Sequence, residues 1–408
     1  MPWHNARLAF GSLPAPSGQD LEQTMTKVII MGGGSLGLWS AFFLVKAGYS
    51  VTVLESRSDI ARMSTRANAR LLSRMFVSST AVAALTRIGI STWESRSKLP
   101  FSRPVLSPLD VHYLLRDDDG FEENLHSLLE IAEGSGCLWK VADDRALSAY
   151  LRHMPANQRF GAVIERGYRL DVDSFVDQME QFLLASGRCE IRRDTRPLNA
   201  TRTSNGIWRL LTTDGAFEAP FVVDATGSQS DNTARLFGGT VLGLKSYKRH
   251  RLIAEVTDAA SLPPPGAFIF SADGAYWASE GDGRVMISPA DETLADPGDT
   301  IPVNEVVWAA IRQFEALSGA SVARVLSLKA GHRPRVNDGV PVVGEDPAAP
   351  GLIRAAGPSG YGMQGGPAFG MLVAAAVTGN PLPPLFAQEG VSLPTFAVDR
   401  YQMPKVNN

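Results

Sequence analysis

The chain has 408 residues, and its 39 basic and 42 acidic side chains give a formal net charge of −3. That length suits two domains rather than a single core, and the balance of charge points away from nucleic acid or an anionic membrane as the main partner. Cys137 and Cys189 are the only cysteines, which excludes a disulfide framework and a multi-cysteine metal site and fits a reducing, cytoplasmic setting.

Residues 1–25 are polar, contain Pro and Gly, and lack the basic-then-apolar order of a signal peptide, so they read as a disordered extension or an over-long start. Residues 27–55, KVIIMGGGSLGLWSAFFLVKAGYSVTVLE, then form one complete unit. Val28 to Met31 predict a short apolar strand. Gly32, Gly34 and Gly37 fill G-x-G-x-x-G, where a missing Cβ lets the backbone turn tightly and approach a pyrophosphate. A helix from Ser35 points its first amides, including that of Leu36, at the phosphates. A second strand, Val51 to Leu54, ends at Glu55, whose carboxylate can accept bonds from the ribose hydroxyls of an adenosine half. Ser56 and Arg57 sit beside it. The spacing is that of a dinucleotide site.

A polar Arg/Ser-rich stretch follows from Ser56 to Arg74, then a helical run from Ser79 to Lys98 and a loop with Pro100, Pro104 and Pro108 leading into a strand at Val111 to Leu115. Helices are expected at 121–135 and at 173–186, the latter opened by Asp173 as N-cap and closed by Gly187. Short strands run through Phe221 to Val223. From Leu244 to Ser288 the pattern has period two, and a helix from Val303 to Leu317 precedes a strand ending near Ala330. The order predicts an α/β protein. A Rossmann-type, discontinuous cofactor domain would take 26–105, 160–243 and 325–408, and a mixed or antiparallel sheet forming a substrate domain would take 106–159 and 244–324.

Two further glycine turns follow strands. In FVVDATGSQSD the strand runs into Ala225, Thr226 and Gly227. In GLIRAAGPSGYGMQGGPAFGMLVAAAV it runs into Gly357, Gly360, Gly362, Gly365 and Gly366 before a small-residue helix, whose start can aim bare amides at negative charge.

From about Lys27 to Tyr401 these residues resemble the D-amino-acid oxidase superfamily of FAD-dependent amine oxidoreductases, which includes glycine oxidase, sarcosine oxidase and D-arginine dehydrogenase. The resemblance implies FAD contacts at Gly32, Gly34, Gly37, Glu55, Thr226, Gly227, Gly360, Tyr361, Gly362, Met363 and Gln364. Ser64 and Thr65 occupy the stretch where relatives place hydroxyls beside the flavin phosphates. The cysteine that tethers flavin in sarcosine oxidases would fall near Gly331 or His332, so the FAD is expected to be non-covalent. The segment AGHRPRVNDGVPVVG is similar to the family's G-x-R-P segment, where an arginine binds the substrate carboxylate. Arg333 is the choice, with Arg335 and His332 as alternatives; a planar guanidinium suits a carboxylate through two parallel charge-assisted bonds. By the same resemblance Tyr276 and Trp277 are pocket walls or, as strand aromatics usually are, core, and Lys248 and Arg249 fall where relatives carry basic residues near the substrate. Gln364 counts with the catalytic set as well as the flavin contacts.

The segment MSTRANARLLSRM departs from the family pattern. Its Arg62, Arg66, Arg70 and Arg74 either contact the pyrophosphate or an anionic substrate, or form a solvated helix face. The loop Ser102-Arg103-Pro104 offers no acid where arginine-oxidising relatives have one, so a neutral, apolar or acidic amine fits better than a cationic one. The implied reaction is oxidation of an amino acid or N-substituted amino acid by hydride transfer to flavin N5, with O2 or another acceptor re-oxidising the flavin. Alternatives are an FAD monooxygenase or halogenase and a flavin-binding protein without turnover. No spacing suggests a metal.

Overall fold

The computed structural model describes residues 27–401 apart from 76–78, 117–119, 143–159, 260–261, 263–266 and 272–273, so the expected extension at 1–25 lies outside the described residues. One sheet has six strands in the order Val342–Glu345, Leu352–Ala356, Phe221–Asp224, Lys27–Met31, Ser50–Leu54 and Cys189–Arg192. Its pairings are parallel except between the first two strands. The strands are short apolar runs because both faces are covered, one by helices and the other by the three-stranded antiparallel sheet Pro197–Arg202, Trp208–Thr212 and Gly215–Ala219, which buries Trp208 and Leu210 against Ile29 and Met31. The helices lie on the first face. Ser35–Lys46, Thr80–Glu94, Val172–Ala185 and Gly366–Thr378 pack together there around fully buried Trp39, which meets Trp93 edge-on at 4.9 Å and stacks on Phe175 at 5.7 Å.

The second sheet is larger. Leu106–Arg116 pairs antiparallel with Phe160–Leu170 and parallel with Ala267–Phe270; Tyr276–Gly281, Arg284–Ser288, Lys245–Val256 and Val322–Arg335 then follow in antiparallel succession. The helix Asn304–Ser318 buries Val307, Ile311 and Phe314 against its face, among Ile269, Trp277 and Ile287.

Tertiary pairing moves several expectations. Phe160–Leu170 and Val322–Arg335, assigned above to the cofactor side for most of their length, are strands of the larger sheet. The strand expected to end near Ala330 continues to Arg335 because it keeps pairing with Lys245–Val256 along its whole length. The helix at 173–186 starts one residue earlier, at Val172. Its N-cap is Asp171, which accepts from the Ser174 amide at 2.9 Å, while Asp173 lies in the first turn, where a carboxylate meets the positive end of the dipole. The arginine segment is not a helix. It is a series of turns over 60–67 followed by the two-residue strand Leu71–Leu72, and Arg70 takes φ +63°.

Candidate functional site

A cavity of about 560 Å³ opens at the carboxyl ends of the strands Lys27–Met31, Ser50–Leu54 and Phe221–Asp224, where an open α/β sheet binds ligands. Gly34 caps the helix Ser35–Lys46 without a side-chain bond, and no acid sits in the first turn to compete for its positive end. Thr65 Oγ1 accepts from the Ser35 amide at 3.0 Å, and Ser35 Oγ donates to the Gly362 carbonyl at 2.8 Å. The two glycine turns are thereby tied together across more than 300 residues of sequence. Glu55 is braced in the same way: its Oε2 accepts from Gly33 N at 2.9 Å and its Oε1 from Arg57 N at 3.0 Å and Ser56 Oγ at 3.2 Å. Acceptor capacity remains on Oε2 for a ribose hydroxyl.

A buried ion cluster sets the third turn. Arg354, Asp224 and Asp346 are all fully buried. Arg354 Nε donates to Asp224 Oδ2 at 3.0 Å, its Nη1 to Asp346 Oδ2 at 3.1 Å and the Thr240 carbonyl at 2.6 Å, and its Nη2 to Ser230 Oγ at 2.8 Å. The other Asp224 oxygen accepts from Thr226 Oγ1 at 2.6 Å, so the Thr226-Gly227 turn is anchored from below.

A second, smaller cavity of about 80 Å³ adjoins the first, sharing Ser64, Asn68, His332, Gly360 and Met363 with it. Its remaining walls include Arg249, Arg333, Gln364, Tyr276, Phe268 and Phe270. Burial, reinforced by the charge of Arg249, pushes the Arg333 guanidinium down to about 10, which still leaves it cationic at neutral pH. Gly360, at φ +94°, is required here, since a Cβ would lie 2.5 Å from Arg333 Nε. His332 is held below the usual imidazole range by burial, and its Nδ1 lies 2.5 Å from Ser246 Oγ. The Gln364 side-chain oxygen accepts from the Ser73 amide at 3.2 Å.

Of the residues singled out for the cofactor, Gly32, Gly34, Ser35, Leu36, Glu55, Ser56, Arg57, Ser64, Thr65, Thr226, Gly227, Gly360, Gly362 and Met363 line the large cavity. Gly37 lies beneath the turn and Tyr361 is buried behind it. Of the residues singled out for the substrate, Arg333, Tyr276 and Gln364 line the small cavity, as do the alternatives Arg249 and His332. Trp277 and Lys248 line neither. Strand alternation sends Trp277 to the opposite face, where its ring meets Phe314 at 6.0 Å, and sends Lys248 to Asp299 at 2.6 Å and the Ile301 carbonyl at 2.8 Å. Arg335 is ion-paired with Glu292 and lies over the Tyr247 ring at 5.2 Å. Among the four arginines only Arg62 reaches the cavity; Arg66 and Arg70 pair with Asp173, and Arg74 with Glu94. A solvated helix face does not describe them, and of the four only Arg62 stands where it could meet a phosphate or an anionic substrate.

Thr195, Arg196, Gln229 and Asn232 also line the large cavity and went unread. Thr195 and Arg196 follow Cys189–Arg192, and their signal is visible only once that strand is known to lie beside Ser50–Leu54. Phe268 and Phe270 were legible in principle, since alternate residues of GAFIF share one face of a strand.

A family model for FAD dependent oxidoreductases matches residues 27–376. The chain belongs to that family. FAD is its cofactor, and the glycine cradle, the acid-free helix start and braced Glu55 are the donors and acceptors that a dinucleotide needs. Neither cysteine lines the cavity. Among curated proteins, this FAD-dependent oxidoreductase is 31% identical over 182 residues to FAD-dependent oxidoreductase domain-containing protein 1 of Bos taurus, a stretch that covers 39% of this chain and 36% of that protein. It is 32% identical over 91 residues to a D-amino acid dehydrogenase of Azorhizobium caulinodans, covering 22% of each. The matched stretches thus span about a third or less of these relatives. Among solved structures, L-proline dehydrogenase from P. horikoshii has TM-score 0.75 at 21% identity, covering 90% of this chain and 98% of its own. Glycine oxidase from Bacillus cereus has TM-score 0.75 at 17% identity, covering 94% and 100%. These two likenesses concern the fold. No helix among the described residues is long and apolar enough to cross a membrane.

Proposed function

We propose that this FAD-dependent oxidoreductase oxidises an amino acid or N-substituted amino acid at the carbon bearing the amine. The observation that carries the reading is the position of Arg333, a buried cation in a small cavity that opens into the cofactor cavity. A carboxylate held there in two parallel hydrogen bonds would be fixed in orientation beside the larger cavity, with which the small one shares five lining residues. When bound, FAD supplies the two-electron acceptor: the substrate carbon loses a hydride, the amine loses a proton, and water hydrolyses the resulting imine to a carbonyl compound and an amine.

The chain's own residues orient the substrate and exclude water. Tyr276, Phe268 and Phe270 form an aromatic wall, with the Phe268 and Tyr276 rings stacked at 5.3 Å and Phe270 tilted against Tyr276 at 5.4 Å. Among the described residues no carboxylate lines the small cavity, and the charges of Arg249 and Arg333 favour the neutral form of a nearby amine, the form able to release a hydride. The fold shared with glycine oxidase and L-proline dehydrogenase, both named for amine substrates, supports the reading.

The test is anaerobic mixing of the FAD-loaded protein with a panel of amino acids and amines while the visible flavin absorbance is followed. Rapid bleaching by an amino acid, weaker for the matching decarboxylated amine, is the expected result. A flavin that no member of the panel reduces refutes the proposal.

A further inference from the structure

Two guanidinium groups line the small cavity, and among the described residues the one carboxylate near them is a glutamate that they share at the limit of ion-pair distance. Arg249 and Arg333 lie on adjacent antiparallel strands, with Arg249 opposite Gly331 and Arg333 opposite Tyr247. Each side chain is only 14% exposed. Among the described residues neither makes a side-chain hydrogen bond, and Arg249 Nε is fully buried without a partner. The nearest carboxylate oxygen, Glu292 Oε1, is 3.9 Å from both, beyond hydrogen-bond reach, and is already ion-paired with Arg335. Three arginines against one glutamate leave a local charge of 3 − 1 = +2.

Arg66 and Arg251 also keep a buried Nε without a partner, but among the described residues each of them, unlike Arg249 and Arg333, makes at least one guanidinium hydrogen bond. Arg354 meets two aspartates, a serine and two carbonyls, and Arg251 donates to the Asn68 carbonyl at 3.0 Å. A buried guanidinium left without partners carries a large desolvation cost unless a ligand supplies the missing acceptors. One substrate carboxylate on Arg333 accounts for one of the two surplus charges. The other charge sits on Arg249, in a wall whose described residues include no acid to repel a second anion.

We infer that the substrate is a small amino acid carrying a second carboxylate, with Arg333 holding the carboxylate next to the reacting carbon and Arg249 holding the distal one. The inference rests on the amine-oxidation reading for its chemistry and on the paired arginines for its selectivity. Size agrees with it: a cavity of about 80 Å³ has room for roughly five to eight water molecules, enough for an acidic group on one or two methylenes. The competing arrangement has both arginines gripping a single carboxylate.

The experiment has a binding arm and a reaction arm, both on the FAD-loaded enzyme. In the first, unreactive acids are titrated while the flavin spectrum is followed, comparing succinate with butyrate and malonate with propionate. The dicarboxylates are expected to bind about ten- to a hundredfold more tightly, the range for a charge-assisted contact. Arg249→Gln should bring that ratio close to one, Arg249→Lys should retain part of it, and Arg333→Gln should weaken both kinds of acid together. A wild-type ratio near one, or an Arg249→Gln loss that is equal for mono- and dicarboxylates, overturns the inference in favour of the single shared carboxylate.

In the reaction arm, aspartate, glutamate and iminodiacetate are compared with asparagine, glutamine and sarcosine for anaerobic flavin reduction. Acidic members reducing faster at low concentration, with the advantage lost in Arg249→Gln, is the expected outcome. Equal reduction by neutral members overturns the inference and leaves amine oxidation standing. Selective dicarboxylate binding with no reduction by any amine does the reverse: the Arg249 subsite stands and the oxidation reading falls.

Discussion

Gly34 and Gly37 occupy neighbouring positions of one motif, and the structure assigns them different work, which a pair of alanine variants separates. A Cβ on Gly37 would sit inside the 3.0 Å that real Cβ contacts essentially never cross, against the Gly32 carbonyl, a backbone atom that cannot swing away. Overpacking of this kind costs typically about 1–3 kcal/mol and sometimes more, so Gly37→Ala should destabilise the protein with or without FAD. A Cβ on Gly34 would meet only Thr65 Oγ1 at 3.5 Å, an ordinary contact, and its φ of −79° is open to any residue. The apoprotein should therefore lose no more than about 1 kcal/mol, the cost of a poorer N-cap. The methyl would instead stand in the cavity, where the pyrophosphate must come close to the turn. With FAD at a hundred times Kd, binding stabilises the folded state by about 2.7 kcal/mol; a hundredfold loss of affinity cuts that to about 0.4 kcal/mol. Urea denaturation of the apo and FAD-loaded forms of both variants measures all four quantities. If Gly34→Ala keeps the FAD-dependent stabilisation, or if Gly37→Ala leaves the apoprotein intact, the reasoning about the turn is wrong.

Arg333, the buried ion cluster and one buried histidine can be tested in the same way. Arg333→Ala should leave the flavin spectrum intact and cost about 1.5–3 kcal/mol, roughly 10- to 150-fold, in reduction rate over substrate affinity. Stopped-flow reduction with an amino acid and its decarboxylated amine checks it, and an equal loss for both ligands would make Arg333 structural. Arg354→Met strands Asp224 and Asp346 in a dry interior and should cost about 3–5 kcal/mol by urea denaturation; a loss below about 1 kcal/mol would show the cluster to be dispensable. Burial holds His112 down to about 4, below its ordinary value near 6.5, so as pH falls the unfolded chain binds the proton first. Stability should therefore decline between about pH 6.5 and pH 4, by up to about 3 kcal/mol from this group. Comparing the wild type with His112→Leu at neutral pH and near pH 4.5 isolates it, and identical pH slopes would remove His112 as the cause.

The sequence by itself determined what lies within a few residues of chain. Strand, glycine turn, helix, strand and Glu55 fall at fixed offsets between 27 and 55, because the backbone conformation each demands is a local property of its own residues. The same holds for the turns at Thr226 and Gly360 and for the segment bearing Arg333, which local resemblance was enough to single out. The side from which a strand residue acts was another matter. Lys248 and Arg249 are neighbours of equal charge, as Tyr276 and Trp277 are neighbours of similar bulk. Only the register of the larger sheet sends Arg249 and Tyr276 to the cavity and their neighbours away, since a shift of one residue turns every side chain to the other face. The arginines at 62, 66, 70 and 74 have helical spacing, yet Arg66 and Arg70 meet Asp173 about a hundred residues further on, and those contacts rather than the spacing shape the segment. Tertiary structure decided these points because strand pairing and ion pairing join residues far apart in the chain, and no local periodicity records which partners will meet.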